Sequence, residues 1–217
     1  MQGGGPVLTV NGKLSADTGP GRIRFAKRQA PIHSGSSMLS NAEYVITYCH
    51  MQIRPEKESD WDAVHTVNVS AFETPSEANL VDTLREQAQL VVSLVAEENG
   101  EVVGHIMFSP VALPGYPELK IMGLAPMAVL PEHQRQGVGS MLVRAGMGIC
   151  KQLGFGAMVV LGHPEYYPRF GFSSSPCFGL GCEYQVPEDV FMAMELQPGY
   201  LRDAIGTIKY HAAFSSV

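Results

Sequence analysis

Residues 126–143 read PMAVLPEHQRQGVGSMLV, and the reading of this stretch decides the fold. An apolar run stops at Pro131-Glu132, a polar triplet comes next, and Gly137 and Gly139 stand one residue apart before a pattern of helical period. Glycines at a strand-to-helix junction have two physical uses. They let elements pack closely without a Cβ, and they let backbone N–H groups at a helix start approach an anion. A dinucleotide-binding turn would carry a third glycine where Leu142 stands, and would come after the first strand of a βαβ series. A Walker phosphate loop needs Gly-Lys-Ser/Thr, which is absent. Two readings stay open on these residues alone. One is close packing of helix on sheet. The other is a metal-free pyrophosphate cradle, with Arg135 and the helix dipole supplying the positive field.

The pattern extends in both directions. Downstream, Val138, Met141, Leu142, Ala145 and Ile149 mark one helical face, Gly154 closes it, and Ala157–Leu161 is a short, wholly apolar strand. GHPEYYPRFGF (162–172) then packs a turn, a short helix and a second turn into few residues. Upstream, Ile121–Val129 reads as a strand, although Pro126 removes a ladder donor and fits a bulge, an unpaired edge or a kink at the strand start. VVSLVAEENGEVVGHIMFS (91–109) is two β-rich runs joined at Asn99-Gly100, a hairpin signal.

Two helices precede the hairpin. Ser59 with Asp62 resembles a capping box, ahead of Trp61, Val64, Val67 and Ala71 at helical spacing. Thr74, Pro75 and Glu77 mark the start of the second helix, and Leu80, Leu84 and Ala88 line its apolar face. Gln52–Arg54 forms a strand before them, and FMAMEL (191–196) and GTIKY (206–210) form strands in the tail. The order β-α-α-β-β-β-α-β-α-β-β over residues 51–217 is a mixed α/β (α+β) domain. Residues 1–50 differ: GGGP, TGPG and SGSS punctuate a segment without periodicity, expected to be a disordered extension or a start assigned too early.

Charge is uneven along the 217 residues. Residues 1–50 hold five Lys/Arg against two acids, while residues 51–217 hold ten against nineteen. That acidity argues against nucleic-acid binding and is compatible with a cationic substrate. Four sparse cysteines, with no C-x-x-C pair, suggest a reducing compartment, and no apolar run approaches a membrane span; a cytoplasmic location is expected. No His/Cys spacing matches a metal site, so no metal is expected.

Taken together, Gln134, Gly137 and Gly139, the flanks PMAV and SMLV, and YYPRFGF resemble the GNAT superfamily of acetyl-CoA-dependent N-acetyltransferases. Its signature, Gln/Arg-x-x-Gly-x-Gly/Ala between the fourth strand and third helix, is matched at every specified position. FMAMEL and YHAAF in the tail resemble a bacterial branch of uncertain substrate. The resemblance covers roughly residues 51–217. It implies a mostly antiparallel sheet with helices on both faces, and a fourth strand splayed from the fifth to admit the pantetheine arm of CoA. The implied cofactor-binding set is Met127, Ala128 and Val129 on the strand, with Gln134, Arg135, Gln136, Gly137, Val138, Gly139 and Ser140 in the cradle. An N–H near Val129 would polarise the thioester carbonyl.

The resemblance further implies that Tyr167, before Gly171-Phe172, is the general acid, with Tyr166 its rival. An asparagine common in the family is replaced by Val160. Glu132, His133, His163, Glu165, Glu73 and Glu77 are candidates for a base, whereas His65 and His105 read as ordinary positions. The expected function is acetyl transfer to a primary amine, on a small molecule or a protein, by direct attack in a ternary complex. The alternatives are a catalytically weak acyl-CoA-binding or regulatory module and a structural protein. A homodimer is the default expectation for assembly.

Overall fold

The computed structural model describes residues 51–72 and 74–216; the expectations for residues 1–50 and for Glu73 lie outside them. Strands β1 (Met51–Pro55), β2 (Val92–Glu98), β3 (Glu101–Val111), β4 (Ile121–Val129), β5 (Ala157–Leu161), β6 (Ser173–Ser174) and β8 (Phe191–Glu195) form one sheet, ordered β1-β2-β3-β4-β5-β8-β6. Every pairing in it is antiparallel except β4 with β5. The hairpin turns at Asn99 and Gly100, both at positive φ (53° and 88°), as the twist of a two-residue connection requires.

Strand alternation in β3 feeds two cores. His105 and Met107 face helices α1 (Trp61–Ala71) and α2 (Ser76–Gln87): His105 meets Asn68, and Met107 packs with Val64, Leu80 and Leu84. Gly104 lies on the other face, under Val138 and Leu142 of α3 (Val138–Gln152). Helices therefore cover both faces, as the period-2 pattern of β3 demands.

Several local expectations shift. The first cap is made by Asp60, which accepts from Lys57 N–H at 2.8 Å, rather than by Ser59 with Asp62. Asp60 is also clamped by Arg54 Nη2 at 3.0 Å, and the guanidinium holds its carboxyl below the usual range. Trp61 and Met141, assigned by spacing to buried faces, are 42% and 38% exposed; Arg85 lies over the Trp61 ring, and Val143 and Cys150 take the core side of α3 instead. The segment after β5 folds only as a 3-10 turn, Tyr167–Phe170. GTIKY supplies a strand, as expected, although not one of the seven in the main sheet. Its strand β9 (Gly206–Ile208) pairs in parallel with β7 (Leu180–Cys182), a partner too short to show a period. Among the described residues no helix is long and apolar enough to cross a membrane.

Candidate functional site

The sheet opens at one place. The parallel pairing of β4 with β5 ends at Leu124↔Val160, yet β4 continues to Val129 while still paired with β3. The cause lies in β4. Met127 pairs with Ile106 and Leu124 with Phe108, so Ala125 and Pro126 together oppose Met107 alone. This is a bulge at the expected proline, and it bends the strand away from its neighbour. Beyond it, Leu130 N–H donates to Val103 O on β3 at 3.0 Å. Strand alternation then turns the N–H and C=O of Val129 the other way, toward the gap.

The gap widens into a cleft of about 1310 Å³. One wall is the 126–143 segment. Arg135 and Gly137 both have positive φ (59° and 92°), which folds the loop tightly before α3 begins. No side chain caps this helix, and its first internal bond is Met141 N–H to Gly137 O at 3.0 Å. The N–H groups of Val138, Gly139 and Ser140 are thereby left without helical acceptors, at the positive end of a 15-residue helix on the cleft wall. A Cβ built on Gly137 would meet nothing within 4 Å, so open space lies beside the residue that begins the turn, while one on Gly139 would meet the Tyr166 hydroxyl at 3.0 Å. Donors, dipole and open space fit a pyrophosphate group.

Of the expected cofactor set, Met127, Ala128, Val129, Gln134, Arg135, Gly137, Val138, Gly139 and Ser140 line the cleft; Gln136 does not. Its side chain donates instead to Glu132 O at 2.7 Å, bracing the turn. Gln134 is also braced: its amide donates to Val129 O at 3.0 Å, tying the loop to the end of β4.

The two tyrosines part company. The Tyr166 hydroxyl reaches to 3.4 Å from Ser140 Oγ, at the helix start, and Arg169 lies over its ring at 4.6 Å. Tyr167 turns into the core side of the cleft and is only 6% exposed, with its ring edge-on to Tyr166 and Phe172. Gly162 makes room for it, since a Cβ there would lie 2.2 Å from the ring. Burial, and secondarily the neighbouring Tyr166, raises the pKa of Tyr167, so its phenol stays protonated. Among the described residues none forms a hydrogen bond with its hydroxyl.

The candidate bases are scattered. His133, His163, Glu165 and Glu77 line the cleft, and Glu132 does not. His133 Nε2 is tied to Glu98 at 3.1 Å, while His163 and Glu165 are exposed. Glu77, in the first turn of α2, has a buried oxygen, Oε2, without a partner. No group of metal-ligating side chains occurs among the described residues. Cys150 is buried, Cys177 exposed and Cys182 half-buried; all three are free and none lines the cleft.

Two features escaped sequence reasoning. Tyr184, Tyr210 and Phe214 come from the irregular tail to line the cleft, with no period to announce them. His105 is fully buried between Ser93 (2.9 Å) and Asn68 (3.1 Å), and burial, with the nearby Arg85 charge, pushes its pKa down to about 3.

Comparison with known proteins agrees with this geometry. Residues 58–172 match the model of the acetyltransferase (GNAT) family. The uncharacterized N-acetyltransferase YhbS of Escherichia coli K12 is 35% identical over 166 residues, covering 76% of this chain and 99% of that protein. The crystal structure of E. coli YhbS in complex with CoA superimposes with a TM-score of 0.74 at 32% identity, over 80% of this chain and 96% of that one. A GNAT family acetyltransferase from Brucella melitensis, in complex with acetyl-CoA, gives a TM-score of 0.64 at 36% identity, over 77% and 99%.

Proposed function

This chain belongs to the GNAT acetyltransferase family, with acetyl-CoA as cosubstrate, and we propose that it acetylates a primary amine by direct attack within one ternary complex. The observation that supports this reading best is the parting of β4 from β5 at Leu124, in the same cleft as the uncapped first turn of α3 and the buried phenol of Tyr167.

Acetyl-CoA supplies a thioester-activated acetyl group. The chain's own groups do the rest. The N–H groups of Val138, Gly139 and Ser140, with Arg135, hold the pyrophosphate. The edge of Met127–Val129 that β5 leaves uncovered pairs with the pantetheine amides as a neighbouring strand would. Val129 N–H, turned into the gap, donates to the carbonyl oxygen where negative charge develops. Tyr167 gives its hydroxyl proton to the departing sulfur, and the proton that the attacking neutral amine loses as the amide forms returns through water to restore the phenol. No cysteine lines the cleft among the described residues, which favours direct attack over a covalent acyl-enzyme.

The test is thiol release from acetyl-CoA by the purified full chain across a panel of primary amines. Amine-dependent release is expected. Should acetyl-CoA raise the melting temperature while no amine accelerates release, the chain is an acyl-CoA-binding module and the transfer reading is wrong.

A further inference from the structure

Three residues that line the cleft, Glu77, His133 and Tyr210, each carry a buried polar side-chain atom with no hydrogen-bond partner among the described residues, and two of them lie outside the phosphate cradle and its flanks. These two atoms are Glu77 Oε2 and the Tyr210 hydroxyl oxygen. A buried oxygen left unpaired forfeits its hydration and gains nothing in return, so each such atom in a folded chain asks for an explanation.

The two atoms come from distant elements that the fold brings to one place. Glu77 precedes Leu80 and Val81 by three and four residues, so it lies on the same face of α2. Phe214 packs against the cluster containing Leu80, Val81 and Leu84, and its ring centroid is 5.1 Å from that of Tyr210. Tyr210 in turn lies across Gly123, where an added Cβ would be 3.2 Å from its Cε1. Gly123 is one residue before Leu124, where β5 leaves β4. Tyr210 thus stands at the root of the gap, and Phe214 links it to the helix face that carries Glu77.

The surroundings restrict what could satisfy these oxygens. Phe72, Tyr184, Val186 and Phe214 line this part of the wall, an apolar and aromatic lining. Charge is scarce. The only lining carboxylates among the described residues are Glu77 and Glu165, and Glu165 is exposed in the exit loop of β5, where Arg169 donates to its backbone oxygen. Arg135 and Arg169 also line the cleft, so it is no acidic trough for a polycation. An ammonium group carries donors only, and a carboxylate oxygen can accept one of them.

Resting on the acetyl-transfer reading, we infer that the acceptor is a primary amine with one positive charge on an apolar body, its ammonium bound by Glu77 Oε2 and its body held by the aromatic wall to which Tyr210 and Phe214 belong. Polyamines and aminoglycosides, with several charges each, leave most of theirs unpaired in such a site. The shared chemistry could come from an arylalkylamine or from the N-terminus of a peptide that begins with a large apolar residue.

The experiment is calorimetric titration of the full chain, saturated with CoA, using phenethylamine, phenylalanyl-glycinamide and spermidine. Phenethylamine or the dipeptide amide should bind at least about tenfold more tightly than spermidine, and whichever is tighter identifies the source. Glu77→Gln should weaken that binding by about tenfold or more, and Tyr210→Phe, which keeps the ring in the wall, by a smaller factor. The melting shift produced by CoA should persist in both variants, reporting an intact fold. Tighter spermidine binding, or affinity unchanged in Glu77→Gln, overturns the inference. Thiol release is monitored in the same samples: Glu77-dependent binding without transfer sinks the transfer reading and leaves this acceptor assignment standing.

Discussion

Replacing Tyr167 by phenylalanine separates chemistry from packing in this cleft. The ring lies against Gly162 and edge-on to Phe172 (centroids 5.7 Å apart), and phenylalanine keeps both contacts. The hydroxyl forms no hydrogen bond within the described chain, so its removal should change stability by less than ~0.5 kcal/mol. Turnover is another matter. Loss of a positioned general acid lowers kcat by roughly 10²–10⁴-fold, or about 2.7–5.5 kcal/mol in the barrier. The paired control is Tyr166→Phe, which removes a long 3.4 Å contact to Ser140 at the cradle and should alter acetyl-CoA affinity more than kcat. Steady-state thiol release at saturating amine gives kcat, and calorimetry gives acetyl-CoA affinity. Burial raises the pKa of Tyr167, so its acid form persists as pH rises, and wild-type kcat should show no basic decline from this group below the ordinary phenol value near ~10. Turnover of Tyr167→Phe within about threefold of wild type would refute the assignment. A collapse in Tyr166→Phe alone would transfer the role to its neighbour.

The cradle and the buried histidine give two further expected outcomes. Gly137→Ala meets no steric neighbour within 4 Å, so its cost is the positive φ of 92°, about 1 kcal/mol, lowering Tm by roughly 2–4 °C, with acetyl-CoA affinity reduced because the methyl enters the cradle; the Tm loss without an affinity loss speaks against the cradle. For His105, the folded pKa of about 3 lies below the ordinary value of 6.5, so the unfolded chain binds the extra proton between these limits. Its contribution to stability is complete above about pH 6.5 and falls as pH drops toward 3, by about 2 kcal/mol between pH 7.5 and 5. Urea unfolding at the two pH values measures this, and His105→Gln should flatten the dependence.

Much of the scaffold was legible because it is local. The boundaries Ile121–Val129 and Ala157–Leu161 come from apolar runs ended by Pro131 and by the Gly162 turn, and Asn99-Gly100 sets the hairpin. Pro126, a residue without an N–H to complete a ladder, left a bulge, an unpaired edge and a kink open, and the register skip there decides for the bulge. The gaps arose where a local pattern had more than one solution. Trp61 fits a helical stripe, but Arg85 covers it at the surface; GTIKY does form a strand, and what its alternation left open was the partner, β7, outside the main sheet.

The candidate site divides along the same line. QRQGVG carries its own chemistry, since the glycine at positive φ, the arginine and the uncapped helix start lie within a few consecutive residues. Adjacent tyrosines at 166 and 167 cannot be ranked by composition; only the packing against Gly162 and Ser140 sends one inward and the other over the cradle. The acceptor end is wholly a product of tertiary structure. Glu77 is separated from Tyr210 and Phe214 by more than a hundred residues of chain, and no period or spacing relates α2 to an irregular tail. Sequence by itself determined the longer strands, the helices and the glycine turn before α3, because each depends on neighbours within a few residues. Which side chains face the amine was decided only when the sheet brought distant segments to the gap between β4 and β5, because burial and lost hydrogen-bond partners exist only in the packed chain.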